Sequence, residues 1–269
     1  MIAMHGDLFD DARAALDEGE LDDAAELAAR GLAACARAGA PTVAAAPGHY
    51  VLGAVAAESD EDDVALEHAD RACAADPAFG EAAHLAARLR LSRWDLVGAA
   101  AVLAACQERP AHPDLHYLAA VVAELQGQFD VADEHYRAAA AVDPEGYPLP
   151  VRISDEELQR LVEATIEAMP PSVVATFRNL TIDVHEVPDP VLHRDVHPET
   201  LGLYAGTPVG DAEAMPVGLP DRVYIFKRNI ERMAQDREEL IEELRITLLH
   251  ELGHHLGWDE DDLEARGLA

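Results

Sequence analysis

The sequence predicts a two-domain chain: an all-α array of helical hairpins over residues 1–146, then a small α+β domain over residues 151–269. Three observations carry that prediction. Pro77, Pro110 and Pro144 recur at spacings of 33 and 34 residues in an alanine-rich first half. Glu145-Gly146-Tyr147-Pro148-Leu149-Pro150 breaks helix and marks a boundary. Beyond it, strand-like alternation gives way to an amphipathic helix ending in His250-Glu251-Leu252-Gly253-His254. A chain of 269 residues is ample for two cores.

The last hairpin is the clearest. Leu118 to Leu125 is one helix, Gly127-Gln128 the turn, and Phe129 to Val142 the second helix, with Ala132, Tyr136 and Ala139 preceding Asp143-Pro144. In the unit that ends at Pro77, Leu52-Gly53, Ala65, Ala72 and Asp76 occupy matching places; the middle unit matches with Leu85-Ala86, Ala105 and Pro110. A first hairpin, from about Asp7 to Ala38, turns at Glu18-Gly19-Glu20 and lacks the closing proline. This half resembles a tetratricopeptide array of three to four degenerate units. The resemblance implies stacked hairpins that bury a shared core and offer a concave face to a peptide or partner protein. A purely structural alanine-rich helical domain is the competing reading.

In the second half, Ser154-Asp155-Glu156-Glu157 opens a helix as a cap with an acid three residues on, and Pro170-Pro171 stop it after about Ala168. Thr181 to Val187 alternates, with Ile182 and Val184 on one face, and predicts a strand; Arg222 to Phe226 predicts a second. Leu201 to Leu219 is rich in Gly and Pro and predicts a loop, either a lid or substrate wall or an ordinary connection. From Asp236, acids crowd the first turns of a helix whose Leu240, Ile241, Leu244, Thr247, Leu248 and Leu252 form one apolar stripe.

That helix carries an H-E-x-x-H motif. Its histidines lie four apart, on one helix face, and can grip a single metal ion. Zinc lowers the pKa of a coordinated water, and Glu251 can take the proton as the water attacks a carbonyl, which points to hydrolysis of an amide, a peptide bond first. Gly257, three residues past His254, can end the helix in a left-handed conformation and bring Glu260 round as a third ligand, with Asp259 and Asp261 as neighbours able to substitute. A surface helix end with an acidic tail is the bland alternative. His255 points off the metal face, either supporting the site from behind or exposed. His193 and His197 have helical spacing, but the flanking Pro190 and Pro198 argue against a second metal there.

From about Arg152 onward the chain resembles the small bacterial zincin-like metallopeptidases. The likeness is carried by Leu201-Gly202-Leu203-Tyr204-Ala205-Gly206-Thr207-Pro208, by Leu219-Pro220-Asp221-Arg222-Val223-Tyr224-Ile225-Phe226, by the arginine- and acid-rich helix, and by His250 to Gly257. It implies zinc held by His250, His254 and Glu260, with Glu251 as general base, and names no substrate. In such folds a strand near the active helix pairs with extended substrate. Nine residues follow Glu260, so no methionine turn or downstream subdomain is expected. A donor for the oxyanion must then come from upstream: Tyr204, His185, His193, His197 and Tyr224 are the candidates. Tyr204 leads them, because the resemblance places it in the loop before the active helix; a packing role for it competes.

Acids outnumber bases 52 to 20, for a net charge of −32. This argues strongly against nucleic acid and disfavours anionic membranes as partners, since phosphate binding needs clustered lysine and arginine. Basic peptides, basic protein surfaces and metal cations remain, and acid-rich helices also serve solubility alone. Lys227 is the only lysine, a compositional habit on this reading. Met1 to Asp10 lack the features of a secretory signal, and no run of eighteen apolar residues predicts a membrane span. Cys35, Cys73 and Cys106 read as small buried residues of a reducing cytosol. The expectation is a cytoplasmic zinc metallopeptidase with a repeat domain that recruits peptide or protein; the alternative is an interaction module with a weak or inactive zincin core.

Overall fold

The computed structural model describes residues 3–107, 112–207 and 221–266, with the side chains of 3–5, 178 and 179 left aside. The chain divides into two compact units, Met1–Tyr147 and Pro148–Ala269. Among the described residues no helix is long and apolar enough to cross a membrane. Pro110 and the stretch 208–220, the greater part of the expected loop and the start of the second strand motif, lie outside the described residues.

The described residues of the first unit form four antiparallel helix pairs: α1 (Ala3–Asp17) with α2 (Leu21–Ala38), α3 (Ala46–Glu58) with α4 (Asp62–Ala75), α5 (Gly80–Ser92) with α6 (Leu96–Ala105), and α7 (Pro113–Leu125) with α8 (Phe129–Val142). Alanine dominates the buried positions. Ala12, Ala24 and Ala28 meet Val51 at one end; Ala65, Ala69 and Ala86 meet in the middle; Ala120, Ala123 and Ala132 pack with Tyr136 at the other end. A methyl group leaves neighbouring helix backbones free to approach closely, so hairpin after hairpin packs without bulky layers between them. Each hairpin turns on one left-handed residue, Gly19, Asp60, Trp94 or Gly127, with φ of 78°, 58°, 60° and 72°. Glycine suits that conformation, and at Asp60 and Trp94 the packing of the two helices overrides the local cost. Cys35 and Cys106 are buried and Cys73 is half-buried; all three are free thiols, and burial pushes the Cys73 thiol up to about 11.

The second unit begins with α9 (Asp155–Glu167), capped by Ser154, whose side chain accepts from the Glu157 N–H. A short α10 (Pro171–Val174) and a 3-10 turn (Ala175–Asn179) lead into β1 (Leu180–His185). Among the described residues, β2 (Gly202–Ala205) and β3 (Asp221–Phe226) complete a three-stranded sheet in the order β1-β3-β2. β1 runs parallel to β3, and β2 antiparallel to it. β2 corrects the expectation of a loop from Leu201 onward. Four residues with glycine at the head give little alternation to read, and pairing with β3 makes them a strand. Ile182 packs on the core, whereas Val184 on the same face is exposed at the sheet edge.

Helix α11 (Lys227–Met233) follows β3 without a break, and α12 (Arg237–His255) and α13 (Glu260–Glu264) close the unit. Leu240, Leu244, Leu248 and Leu252 of α12 pack with Leu158 and Val162 of α9, Val223 and Ile225 of β3, and Ile230 of α11. α11 works as a polar clamp. The buried Glu231 accepts from the Ile153 N–H at 3.1 Å and from Arg152 at 2.9 Å, and its carbonyl takes the Val151 N–H at 3.1 Å. Asn229 donates to the carbonyls of Pro198 at 3.0 Å and Thr200 at 2.7 Å, which fixes the segment leading into β2. Lys227, read from sequence as compositional habit, is buried and bridges Asp155 and Glu186.

Two outcomes follow. A fragment of residues 1–146 is expected to fold alone, because each hairpin packs mainly on its neighbours; circular dichroism should show a helical, cooperatively melting species, and limited proteolysis of the full chain should cut between Tyr147 and Val151. Glu231→Ala removes the acceptor of a buried N–H and the partner of Arg152. It is expected to cost the second unit about 1–3 kcal/mol, measured as a lower denaturation midpoint.

Candidate metal centre

Helix α12 starts where Asp236 accepts from the N–H groups of Glu238 and Glu239, at 2.8 and 3.0 Å, satisfying two of the donors that a helix start leaves unpaired. Its burial then sorts the motif by face. Glu251, Leu252 and His255 turn inward, while His250 and His254 are half-buried on the adjacent face. The Nε2 atoms of His250 and His254 stand 3.0 Å apart. His254 Nδ1 faces the Trp258 carbonyl at 3.2 Å, so it carries the proton and leaves Nε2 as a lone pair.

The third group arrives through the turn after α12. Gly257 takes φ of +84°, the Trp258 N–H donates to the Gly253 carbonyl at 3.0 Å, and Asp259 caps α13 by accepting from the Asp262 N–H at 2.9 Å. Glu260, whose side chain is 73 % exposed, thereby places its carboxylate 3.5 Å from His254 Nε2 and 4.0 Å from His250 Nε2. Gly253, inside the motif, makes this return possible. A Cβ there would sit 2.5 Å from Leu263 Cδ2 and 2.9 Å from the Trp258 ring. Of the three acids open on sequence, Asp259 is occupied as a cap and Glu260 is the one that converges on the histidines.

The ligand atoms of His250, His254 and Glu260 all lie within 4.8 Å of one another, and they are the group of this kind among the described residues. Two imidazole nitrogens and a carboxylate suit zinc, with metal–ligand distances of about 2.0–2.2 Å. The 3.0 Å between the nitrogens lets one ion touch both. The exposed Glu260 leaves a side open to solvent, as a site with a free coordination position needs.

Glu251 is 7 % exposed and sits between α12 and β2. A Cβ on Gly202 would lie 2.8 Å from Thr247 Cγ2 and 2.9 Å from Glu251 Cγ, so helix and strand touch where only glycine fits. Burial pushes the Glu251 carboxyl up to about 7, while the charge of His250 and the Tyr204 backbone N–H pull the other way. A divalent cation held alongside would add to that downward pull.

Tyr204 contributes through its backbone. The Phe226 N–H donates to the Leu201 carbonyl at 2.9 Å, so in this antiparallel pair Gly202 and Tyr204 turn their backbone groups away from β3. Both outward positions are engaged within the unit: the Tyr204 N–H bonds Glu251, and the Gly202 carbonyl accepts from Thr200 Oγ1 at 3.1 Å. The Tyr204 hydroxyl, one of the candidate oxyanion donors, meets His255 Nδ1 at 3.3 Å and the Asp221 carboxylate, as the competing packing role requires. Burial and the Asp221 charge raise its pKa.

Of the two readings of His255, supporting the site from behind or exposed, the structure excludes the exposed one. The side chain is 4 % exposed, with Nε2 at 3.3 Å from the Thr176 carbonyl and Nδ1 at 3.2 Å from Asp221 Oδ2. This Asp221–His255–Tyr204 network was not foreseen. Its signal was the histidine doublet, since the residue after a ligand on a buried helix faces the core. Of the remaining candidates, His185, His193 and Tyr224 cluster with Phe226, packed edge to face or stacked at the ends of β1 and β3. His193 accepts from the Asp189 N–H and His197 from the Glu199 N–H. A cavity of about 750 Å³ between α9 and β1 also contains neither motif histidine.

Residues 177–268 match the model of the zincin-like metallopeptidase family, which supports that family for this part of the chain and leaves residues 1–176 outside the match. No curated protein matches the chain.

Gly253→Ala tests the packing that delivers Glu260. Overpacking of this kind costs about 1–3 kcal/mol. The substitution is expected to displace Trp258 and Leu263 and weaken zinc affinity with α12 intact, measured by metal titration alongside circular dichroism.

Proposed function

We propose that the chain is a zinc-dependent metallopeptidase, a hydrolase of peptide bonds, with a tetratricopeptide-like repeat unit that recruits peptide or protein substrate in the cytoplasm. The observation that carries this reading is the convergence of His250, His254 and Glu260 beside the buried Glu251. The family match over residues 177–268 supports it. When bound by the three side chains, zinc supplies Lewis acidity, which acidifies a coordinated water and polarises a carbonyl.

The residues of the chain do the rest. Glu251 accepts the proton of the attacking water and returns it to the leaving amine, held in place by the Tyr204 N–H and the wall of β2. Trp258 fixes the tautomer of His254 through its carbonyl. Tyr204 has a positioning role: its hydroxyl, with Asp221 and His255, braces the strand whose amide holds Glu251.

One observation favours the second reading, an interaction module with a weak or inactive core. Two of the four outward backbone groups of β2, the Tyr204 N–H and the Gly202 carbonyl, are already bonded to Glu251 and Thr200, so strand addition there would compete with internal bonds. The two readings separate in a peptide-library digest with zinc-loaded protein. The enzyme reading expects cleavage that Glu251→Gln lowers by about a hundred- to ten-thousand-fold while metal content stays unchanged. Cleavage at full rate by Glu251→Gln would remove Glu251 from the mechanism; no cleavage by either form favours the module.

Metal analysis tests the ligands separately. His250→Ala and Glu260→Ala are expected to lose zinc, whereas Asp259→Ala and Asp261→Ala keep it. Glu260→Ala at full affinity would sink the assignment of the third ligand.

A further inference from the structure

The helical hairpins hold four histidines in two pairs that the proposed function does not use. His49 Nδ1 and His68 Nδ1 lie 3.1 Å apart, bridging α3 and α4; His116 Nδ1 and His135 Nδ1 lie 3.2 Å apart, bridging α7 and α8. The ring geometry also repeats, with centroids at 5.4 and 5.5 Å and planes tilted by 34° and 39°. All four side chains are half-buried.

The positions correspond. Counted from the left-handed turn residues Asp60 and Gly127, each pair sits eleven residues before and eight residues after the turn. The same count from Gly19 gives Leu8 and Leu27, and from Trp94 gives Ala83 and Val102. Two hairpins therefore carry histidine at both places and two carry an apolar residue at both. None mixes them. The histidines belong to a pair rather than to single positions.

We propose that each pair, His49–His68 and His116–His135, is a two-imidazole site for a borderline divalent cation such as zinc. Two nitrogens at about 2.0–2.1 Å from one ion in tetrahedral geometry stand about 3.3–3.4 Å apart, close to the spacings here and to the 3.0 Å between His250 and His254. Imidazole suits zinc and the other late first-row ions. Ligation needs neutral rings, and both pairs are half-buried across their hairpins. Arg71, three residues after His68 on the same helix, is itself paired with Glu67. With two protein ligands each, the sites bind more weakly than His250, His254 and Glu260. Water or a side chain of a bound peptide completes the coordination, so the repeats would bind metal independently of any hydrolysis.

The test uses the full chain carrying His250→Ala and His254→Ala, which separates this proposal from the reading of the metal centre. Equilibrium dialysis against zinc is expected to give two equivalents bound. His49→Ala should remove one and His116→Ala the other, because losing one imidazole of a chelating pair lowers affinity by about a hundredfold. Nitrogen-15 spectra of the unsubstituted hairpins keep the test valid where a variant fails to fold: zinc should shift the Nδ1 signals of all four histidines. Unshifted signals at millimolar zinc would overturn the proposal and leave two neutral hydrogen-bonded pairs. Stoichiometry unaffected by His49→Ala and His116→Ala, with the fold intact, would overturn it too.

Discussion

The contact between α12 and β2 at Gly202 is the constraint on which the second unit depends. Thr247 and Glu251 press on the strand backbone where a single methyl group would collide with both. That closeness places Glu251 against the outward N–H of Tyr204 and buries its carboxylate. A buried carboxylate is costly unless hydrogen-bonded, and the edge strand supplies the bond. The same contact turns His250 and His254 away from the sheet, because the helix repeat sends residues 250 and 254 one way and 251 and 255 another.

One helix turn thus serves two purposes. Its outer face gathers the metal-type ligands; its inner face anchors the sheet through His255, which joins the 3-10 turn at Thr176, strand β2 at Tyr204 and strand β3 at Asp221. Gly253 lies on the flank of the ligand face away from Glu251 and His255, and admits Trp258 and Leu263. Those two apolar side chains give the segment after Gly257 a place to pack, and Glu260 is positioned as a consequence. The chemistry and the fold meet in these few residues, which leaves little freedom to change one without the other.

The first unit rests on a different economy of space. Buried alanines let helix backbones approach, and the left-handed residue at each turn sets the hairpins in equivalent geometry. Such a scaffold repeats any side-chain pair placed across a hairpin, which is why His49–His68 and His116–His135 share one arrangement. In both units a close backbone approach made possible by small residues governs where the polar groups end up.

Much of this was legible in the sequence because it is local. The proline period and turn residues located the hairpins, Ser154 and Asp236 marked helix starts, and the spacing of His250, Glu251 and His254 placed them on neighbouring helix faces without reference to the rest of the chain. Gly257 and the acids after it indicated a return toward the histidines, but spacing alone left Asp259, Glu260 and Asp261 open. Only the tertiary structure separated them, through the cap that occupies Asp259 and the packing of Trp258 and Leu263 on Gly253. It also decided that Gly202–Ala205 is a strand, that the Tyr204 hydroxyl belongs to His255 and Asp221, and that Asn229 and Glu231 clamp distant segments. Periodicity and capping act within a few residues along the chain, whereas a partner 30 or 80 residues away is chosen by packing, and packing leaves no local pattern to read.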